Sequence, residues 1–180
     1  MNYRLKAIRR INGYTQKDVA NLLNITQRTY SKYETGELSI KISQLVILSG
    51  YYKVSIDYLL GLSSNVNSKY IGRKYDESLL VNNIKYLRYE HNYSQKQLSK
   101  LINCSPSLIS MVERGESRIQ VDMLVALSKL YNKSTDYLMY SKDNLLWLYV
   151  KYNYVLFFCQ LKTIKYLKNY YCFGNIFTNK

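Results

Sequence analysis

The sequence predicts an all-α protein: two five-helix bundles in tandem, followed by a C-terminal extension of helical character. Three observations carry that expectation. The stretch TQKDVANLLNITQRTYSKYETGE, residues 15–37, returns as SQKQLSKLINCSPSLISMVERGE at 94–116, 79 residues on and without a gap. The match runs from Leu5 opposite Ile84 to Leu62 opposite Ser141, with roughly a third of the paired positions identical, so one compact unit is written twice. Within each unit, apolar residues recur at helical spacing, and cap-forming residues with Gly or Asn punctuate the runs.

Taken in order, Leu5, Ile8 and Ile11 give a first helix running to about Asn12, closed by Gly13. Thr15 is placed to cap a second helix over about residues 16–23, with Asp18 three positions on completing a capping-box pattern. Asn24 suits the tight turn that follows, because asparagine tolerates the left-handed conformation. Thr26 caps a third helix that extends through Glu34 and ends at Gly36. Ile42, Leu45, Val46 and Leu48 mark a fourth, and Ser55 opens a short fifth ending near Leu60. The domains expected are 1–62 and 77–141, with a linker at 63–76 and the extension at 142–180. A single proline, Pro106, leaves the helices otherwise unbroken.

The second and third helices meet the steric demands of a helix-turn-helix. A small residue stands where they cross, Ala20 in one unit and Ser99 in the other. The turn has Asn24 or Asn103, and apolar anchors lie under the third helix at Tyr30 and Tyr33 or Ile109 and Val112. On these residues, and on the endings VSIDYLLG and KSTDYLM, both units resemble the phage repressor/Cro type of helix-turn-helix domain. The resemblance covers about residues 2–62 and 80–141. It implies a sequence-specific, repressor-like transcriptional regulator of a bacterium or phage, with double-stranded DNA as partner. It also implies that the third helix enters the major groove.

The exposed positions matching that role are Gln27, Arg28 and Lys32. Glutamine can bond adenine bidentately, and arginine or lysine can bond guanine O6 and N7. Gln16 matches a family position that contacts phosphate and is also placed to brace Gln27, while Thr26 adds a hydroxyl at an anion-binding helix end. In the second unit Gln95 and Ser105 keep the phosphate pattern, but the reading face becomes Pro106, Ser107 and Met111. Pro106 offers no donor, Ser107 bonds either base weakly, and Met111 can touch a thymine methyl. Arg114 and Arg118, just beyond the helix, are placed for phosphate. The pairs Arg9 with Glu34 and Arg88 with Glu113 match a family salt bridge between first and third helices, a scaffold feature. His91 takes the place of the turn residue Asn12 and reads as a surface residue.

Residues 62–76, LSSNVNSKYIGRKYD, are Ser/Asn-rich and read as a flexible tether. Such a coil reaches about 20 Å and at most about 50 Å extended, against about 34 Å between successive major-groove faces. Both heads could then engage one duplex and gain affinity through tethering, on a direct-repeat site or on one strong and one supporting half-site.

The formal charge is +14, with ten cations against four acids in residues 1–70, ten against seven in 71–140 and six against one in 141–180. That balance favours an anionic partner, nucleic acid or an acidic membrane. Cys104, Cys159 and Cys172 lack metal-ligand spacing and read as reduced thiols of a cytoplasmic protein, and the charged N-terminus lacks a secretory signal pattern. In the aromatic and lysine-rich extension, Leu145, Leu148, Tyr152, Val155 and Cys159 follow a 3–4 spacing that favours self-association. The apolar run from Leu145 to Leu161 is short for a membrane span and contains Lys151. An amphipathic anchor is the third and weaker reading, since polar and apolar residues mix on each face of this segment, so membrane contact is not expected. No phosphate loop, nucleophile elbow or metal cluster occurs, so neither an enzyme nor a cofactor is expected. The rival to DNA binding is a protein-interaction or antitoxin-like regulator, with the second domain and the extension binding a protein partner.

Overall fold

The computed structural model describes residues 3–142, and every regular element among them is a helix. The first repeat comprises α1 (Leu5–Ile11), α2 (Gln16–Leu22), α3 (Gln27–Thr35), α4 (Ile42–Tyr52) and α5 (Ile56–Leu59). The second comprises α6 (Glu77–Glu90), α7 (Gln95–Leu101), α8 (Pro106–Glu113), α9 (Val121–Tyr131) and α10 (Thr135–Tyr140). The all-α expectation holds in element order and in boundaries to within a residue or two.

Local chemistry explains where helices begin. The Thr15 hydroxyl accepts from the Asp18 amide, and the Asp18 carboxylate accepts from the Thr15 amide at 2.8 Å, closing the predicted capping box. Ser94 and Gln97 repeat it in the second unit. At α3, α5, α8 and α10 the hydroxyls of Thr26, Ser55, Ser105 and Ser134 accept from the amide three residues on. Helix ends use positive φ: Asn24 at 52° and Asn103 at 55° make the two tight turns, and Gly36 at 76° and Gly115 at 75° follow the third helices. Satisfying these terminal amides and carbonyls lets short helices persist in so small a bundle.

The repeats belong to one compact unit. Their buried side chains form one continuous core, to which the first repeat gives Leu5, Tyr30, Leu45 and Leu48 and the second Ile84, Ile109, Leu124 and Leu127. Between them, α5 packs on α10. The linker is not the free tether that its Ser/Asn-rich composition predicts. The Ser55 amide and hydroxyl donate to the Val66 and Asn65 carbonyls at 2.7 and 2.8 Å. Tyr70 is buried and its ring stacks on Tyr140 with centroids 5.7 Å apart, flanked by Lys69 and Arg73. An aromatic ring in a polar segment gave the chain an apolar anchor, and burying it fixes the segment. The reach calculated for a coil therefore does not apply.

Among the described residues no helix is long and apolar enough to cross a membrane. The self-association favoured for the extension, and the membrane readings set below it, fall on residues outside those described.

Candidate nucleic-acid interface

The third helix of the first repeat is held from beneath. Tyr30 and Tyr33 are buried, and the Glu34 side chain is all but sealed at 2 % exposure. Arg9 on α1 reaches Glu34 through two parallel hydrogen bonds, Nε to Oε1 at 2.6 Å and Nη2 to Oε2 at 3.0 Å, while its remaining nitrogen donates to the Tyr14 carbonyl at 2.8 Å. Gln16, opening α2, donates its amide to Glu34 Oε2 at 2.8 Å. Burial works against the Glu34 carboxylate, yet the hydrogen bonds from Arg9 and Gln16 outweigh it and hold its pKa below the usual glutamate value. The hydrogen bond to Glu34 in turn raises the Arg9 guanidinium. One buried carboxylate thus locks α1, α2 and α3 together, as a bidentate pair does where geometry is fixed.

With its underside fixed, α3 turns a polar face outward. Thr26, Gln27 and Arg28 are exposed, and Lys32 is half-buried one turn beyond Arg28. Positions 28 and 32 share a helix face, and Thr26 with Gln27 occupies its amino-terminal end. The Thr26 hydroxyl is already engaged, accepting from the Thr29 amide at 3.1 Å. Gln16, the first residue of α2, turns its amide to Glu34 and not to Gln27.

The second repeat reproduces the lock at positions 79 residues on. Arg88 pairs with Glu113 in the same two-bond fashion and bonds the Tyr93 carbonyl, and Gln95 donates to Glu113 Oε2 at 2.8 Å. The outer face differs. Ser105, Pro106 and Ser107 are exposed and Met111 is 39 % exposed, so among the described residues α8 itself carries no cation on that face. Arg114, immediately after α8, pairs with Glu116 through Nε at 2.6 Å and Nη2 at 2.7 Å and also contacts the Ser110 hydroxyl. Arg118 approaches Glu77 at 4.0 Å. His91 lies at the surface, its Nδ1 against the Leu87 carbonyl and its ring against Tyr93 and Tyr131, as Asn12 bonds the Ile8 carbonyl in the first repeat. No group of three or more His, Cys, Asp or Glu side chains among the described residues could hold a metal ion.

A family profile described as helix-turn-helix matches the chain twice, over residues 5–59 and 84–138. The chain belongs to the helix-turn-helix family, in its phage repressor/Cro type. Curated relatives include the HTH-type transcriptional regulator ImmR of Bacillus subtilis (strain 168), 47 % identical over 58 residues that make up 32 % of this chain and 46 % of the relative. The SPbeta prophage-derived uncharacterized HTH-type transcriptional regulator YonR of the same strain is 42 % identical over 57 residues, 32 % of this chain and 53 % of that one. The uncharacterized HTH-type transcriptional regulator YobD is 33 % identical over 66 residues, 37 % of this chain and 59 % of that one. The alignments thus span about half the length of each curated relative. No solved structure matches the chain significantly.

Proposed function

We propose that the protein is a DNA-binding transcriptional regulator of repressor-like type, with α3 of the first repeat as the principal reader of bases. The observation that carries this reading is the outward face of Gln27, Arg28 and Lys32 on a helix whose other side is locked by Arg9, Glu34 and Gln16. Gln27 would bond an adenine edge and Arg28 or Lys32 a guanine, while Thr26 and the first amides of α3 meet phosphate. The names of the relatives agree with such a role. Ser105, Ser107, Gln95 and Arg114 would support the complex from the second repeat, mainly along the backbone.

Selection of duplexes from a random pool by the full chain, with affinities measured at two salt concentrations, tests this reading. A preferred sequence and a steep loss of affinity with salt are expected. Indifference to every duplex at low ionic strength would overturn it.

A second reading, a protein-interaction regulator, is favoured by the face of α8 and its surroundings. Met111 on α8 and Leu101 at the end of α7 are exposed, and α8 carries no cation. It predicts that replacing Met111 by Lys leaves DNA affinity unchanged or improved while abolishing binding to a protein partner.

A further inference from the structure

The contact between the repeats has a symmetry that the linear repetition conceals. Asp57, the second residue of α5, accepts from the Thr135 amide at 3.0 Å and the Thr135 hydroxyl at 2.6 Å, at the start of α10. Asp136, the second residue of α10, accepts from the Ile56 amide at 3.1 Å, at the start of α5. Shifted by the repeat offset, Thr135 stands for Ile56 and Asp136 for Asp57. Position 57 of each repeat therefore touches position 56 of the other. Such reciprocity is the signature of an isologous, two-fold contact, since a head-to-tail contact would join two different patches. A cavity elsewhere between the repeats obeys the same rule: Ser39, Ile40 and Lys41 line one side, and their counterparts Arg118, Ile119 and Gln120 the other. Both contacts are internal to the chain, and the packed linker, with Tyr70 on Tyr140, closes them.

We propose that the chain is its own dimer: one copy recognises an inverted pair of unlike half-sites, the second repeat standing where a second subunit would. This rests on the reading of α3 given above. A pseudo-two-fold axis exchanges α3 and α8, and placed on a dyad of the duplex it exchanges the two strands by the same operation. Each helix then meets its half-site on the opposite strand, which is the inverted order. The direct-repeat order expected of freely tethered heads needs a translation between repeats, and the 57-to-56 reciprocity excludes one. The halves are unlike because the faces are unlike. Gln27, Arg28 and Lys32 call for adenine and guanine edges, whereas Ser107 and Met111 offer a weak hydroxyl contact and a thymine methyl contact. One copy suffices because α5 and α10 are occupied by each other.

The test uses the full chain and duplexes enriched from a random pool. From the enriched strong half, three duplexes are built that carry the second half inverted, directly repeated at the same centre-to-centre distance, or scrambled. Native mass spectrometry counts chains per duplex. The expected result is tighter binding to the inverted duplex than to the other two, on the order of a hundredfold for a tethered second contact, with one chain per duplex. Equal or tighter binding to the direct repeat overturns the proposal. So does an enriched palindrome carrying two chains, or a site of one half whose affinity ignores the second. A pool from which nothing is enriched overturns the DNA reading itself, and with it this inference, and that outcome is distinct from the other three.

Discussion

The two repeats hold the same internal lock and present different faces, which separates what the fold demands from what a partner demands. Arg9, Glu34 and Gln16 correspond one for one to Arg88, Glu113 and Gln95, with the same atoms bonded to the same atoms. Gln27, Arg28 and Lys32 become Pro106, Ser107 and Met111. A carboxylate sealed beneath a helix must have its charge matched and its oxygens bonded wherever it occurs. An outward side chain owes nothing to the protein's interior, so its chemistry is set by whatever it meets. The second repeat is therefore a sound scaffold with an altered surface, not a decayed copy.

If the lock is scaffold alone, breaking it should cost both repeats alike. Arg9→Met and Arg88→Met each leave a buried carboxylate without its cation, which destabilises by about 3–5 kcal/mol. Urea denaturation of the two variants should show losses of similar size. A loss below about 1 kcal/mol in one repeat alone would show that its lock is ornamental and that the repeats differ inside as well as outside.

The aspartates at the internal contact are less evenly matched. Asp57 accepts two hydrogen bonds from Thr135, whereas Asp136, 3 % exposed, accepts one from Ile56 and leaves Oδ1 without a partner. Burial, and then the neighbouring Asp57 carboxylate, push the Asp136 pKa up to about 6, against the Ile56 amide, which favours the charged form. The unfolded value is about 4. Between those values the native state keeps a proton that the unfolded chain has lost, so Asp136 favours folding most below about pH 4. That contribution falls as pH rises through 6 and is constant above it. The loss is about 3 kcal/mol for a shift of some two pH units. Subtracting the Asp136→Asn variant from the parent in denaturation at several pH values isolates it from carboxylates with the opposite slope, such as Glu34. A flat difference curve would contradict the assignment, and Asp57→Asn should shift the curve to lower pH by removing the adjacent charge.

Which parts of this architecture could be read in advance follows from how far apart the interacting residues lie. Thr15 with Asp18 and the turn at Asn24 are decided within a few residues, and the sequence spells them out. Arg9 with Glu34 spans 25 residues, but its recurrence at Arg88 and Glu113 exposed it. Asp57 with Thr135 spans 78 residues and occurs as a cross-contact, so comparing each repeat with itself could not reveal it. The one signal available was that both aspartates are retained one residue after the start of a helix, where an acid can also serve its own helix dipole. Ser/Asn content concealed the packing of the linker, because its anchors are one buried ring, Tyr70, and backbone carbonyls at Asn65 and Val66 that any sequence would carry. Of the candidate site, α3 was legible as an exposed polar face; the turning of Gln16 toward Glu34 was not, since a glutamine at that position can reach either way.

The difference between α3 and α8 can be sharpened on DNA. Arg28→Ala should relax preference at one base position and weaken the preferred site by about 1–3 kcal/mol. Ser107→Ala, at the matching position, should cost less and leave the preference at its own half-site nearly intact, since a hydroxyl accepts either base. Competition binding against a panel of single-base variants reads both. A uniform loss for Arg28→Ala on every duplex would make that side chain a phosphate contact, and the asymmetry between repeats would then be one of charge only.

The smallest expected effect lies just past the third helices. In the first repeat Thr35 donates its hydroxyl to Glu37 at 3.0 Å; in the second the same positions hold Arg114 and Glu116, joined by two hydrogen bonds. Both side chains of that pair are about half exposed, so water and salt screen it, and the guanidinium can leave for a stronger anion. If Arg114 meets phosphate in the complex, it must first release Glu116. Glu116→Gln removes that competitor without shortening the side chain. Affinity should then rise a few-fold, and the slope of log affinity against log salt should steepen by up to about one contact's worth, near 0.9. Glu37→Gln, where the neighbour is a threonine, should leave the slope unchanged apart from the removed surface charge. Equal effects from the two substitutions would mean that only net charge changed, and that Arg114 stays with its own acid when DNA is bound.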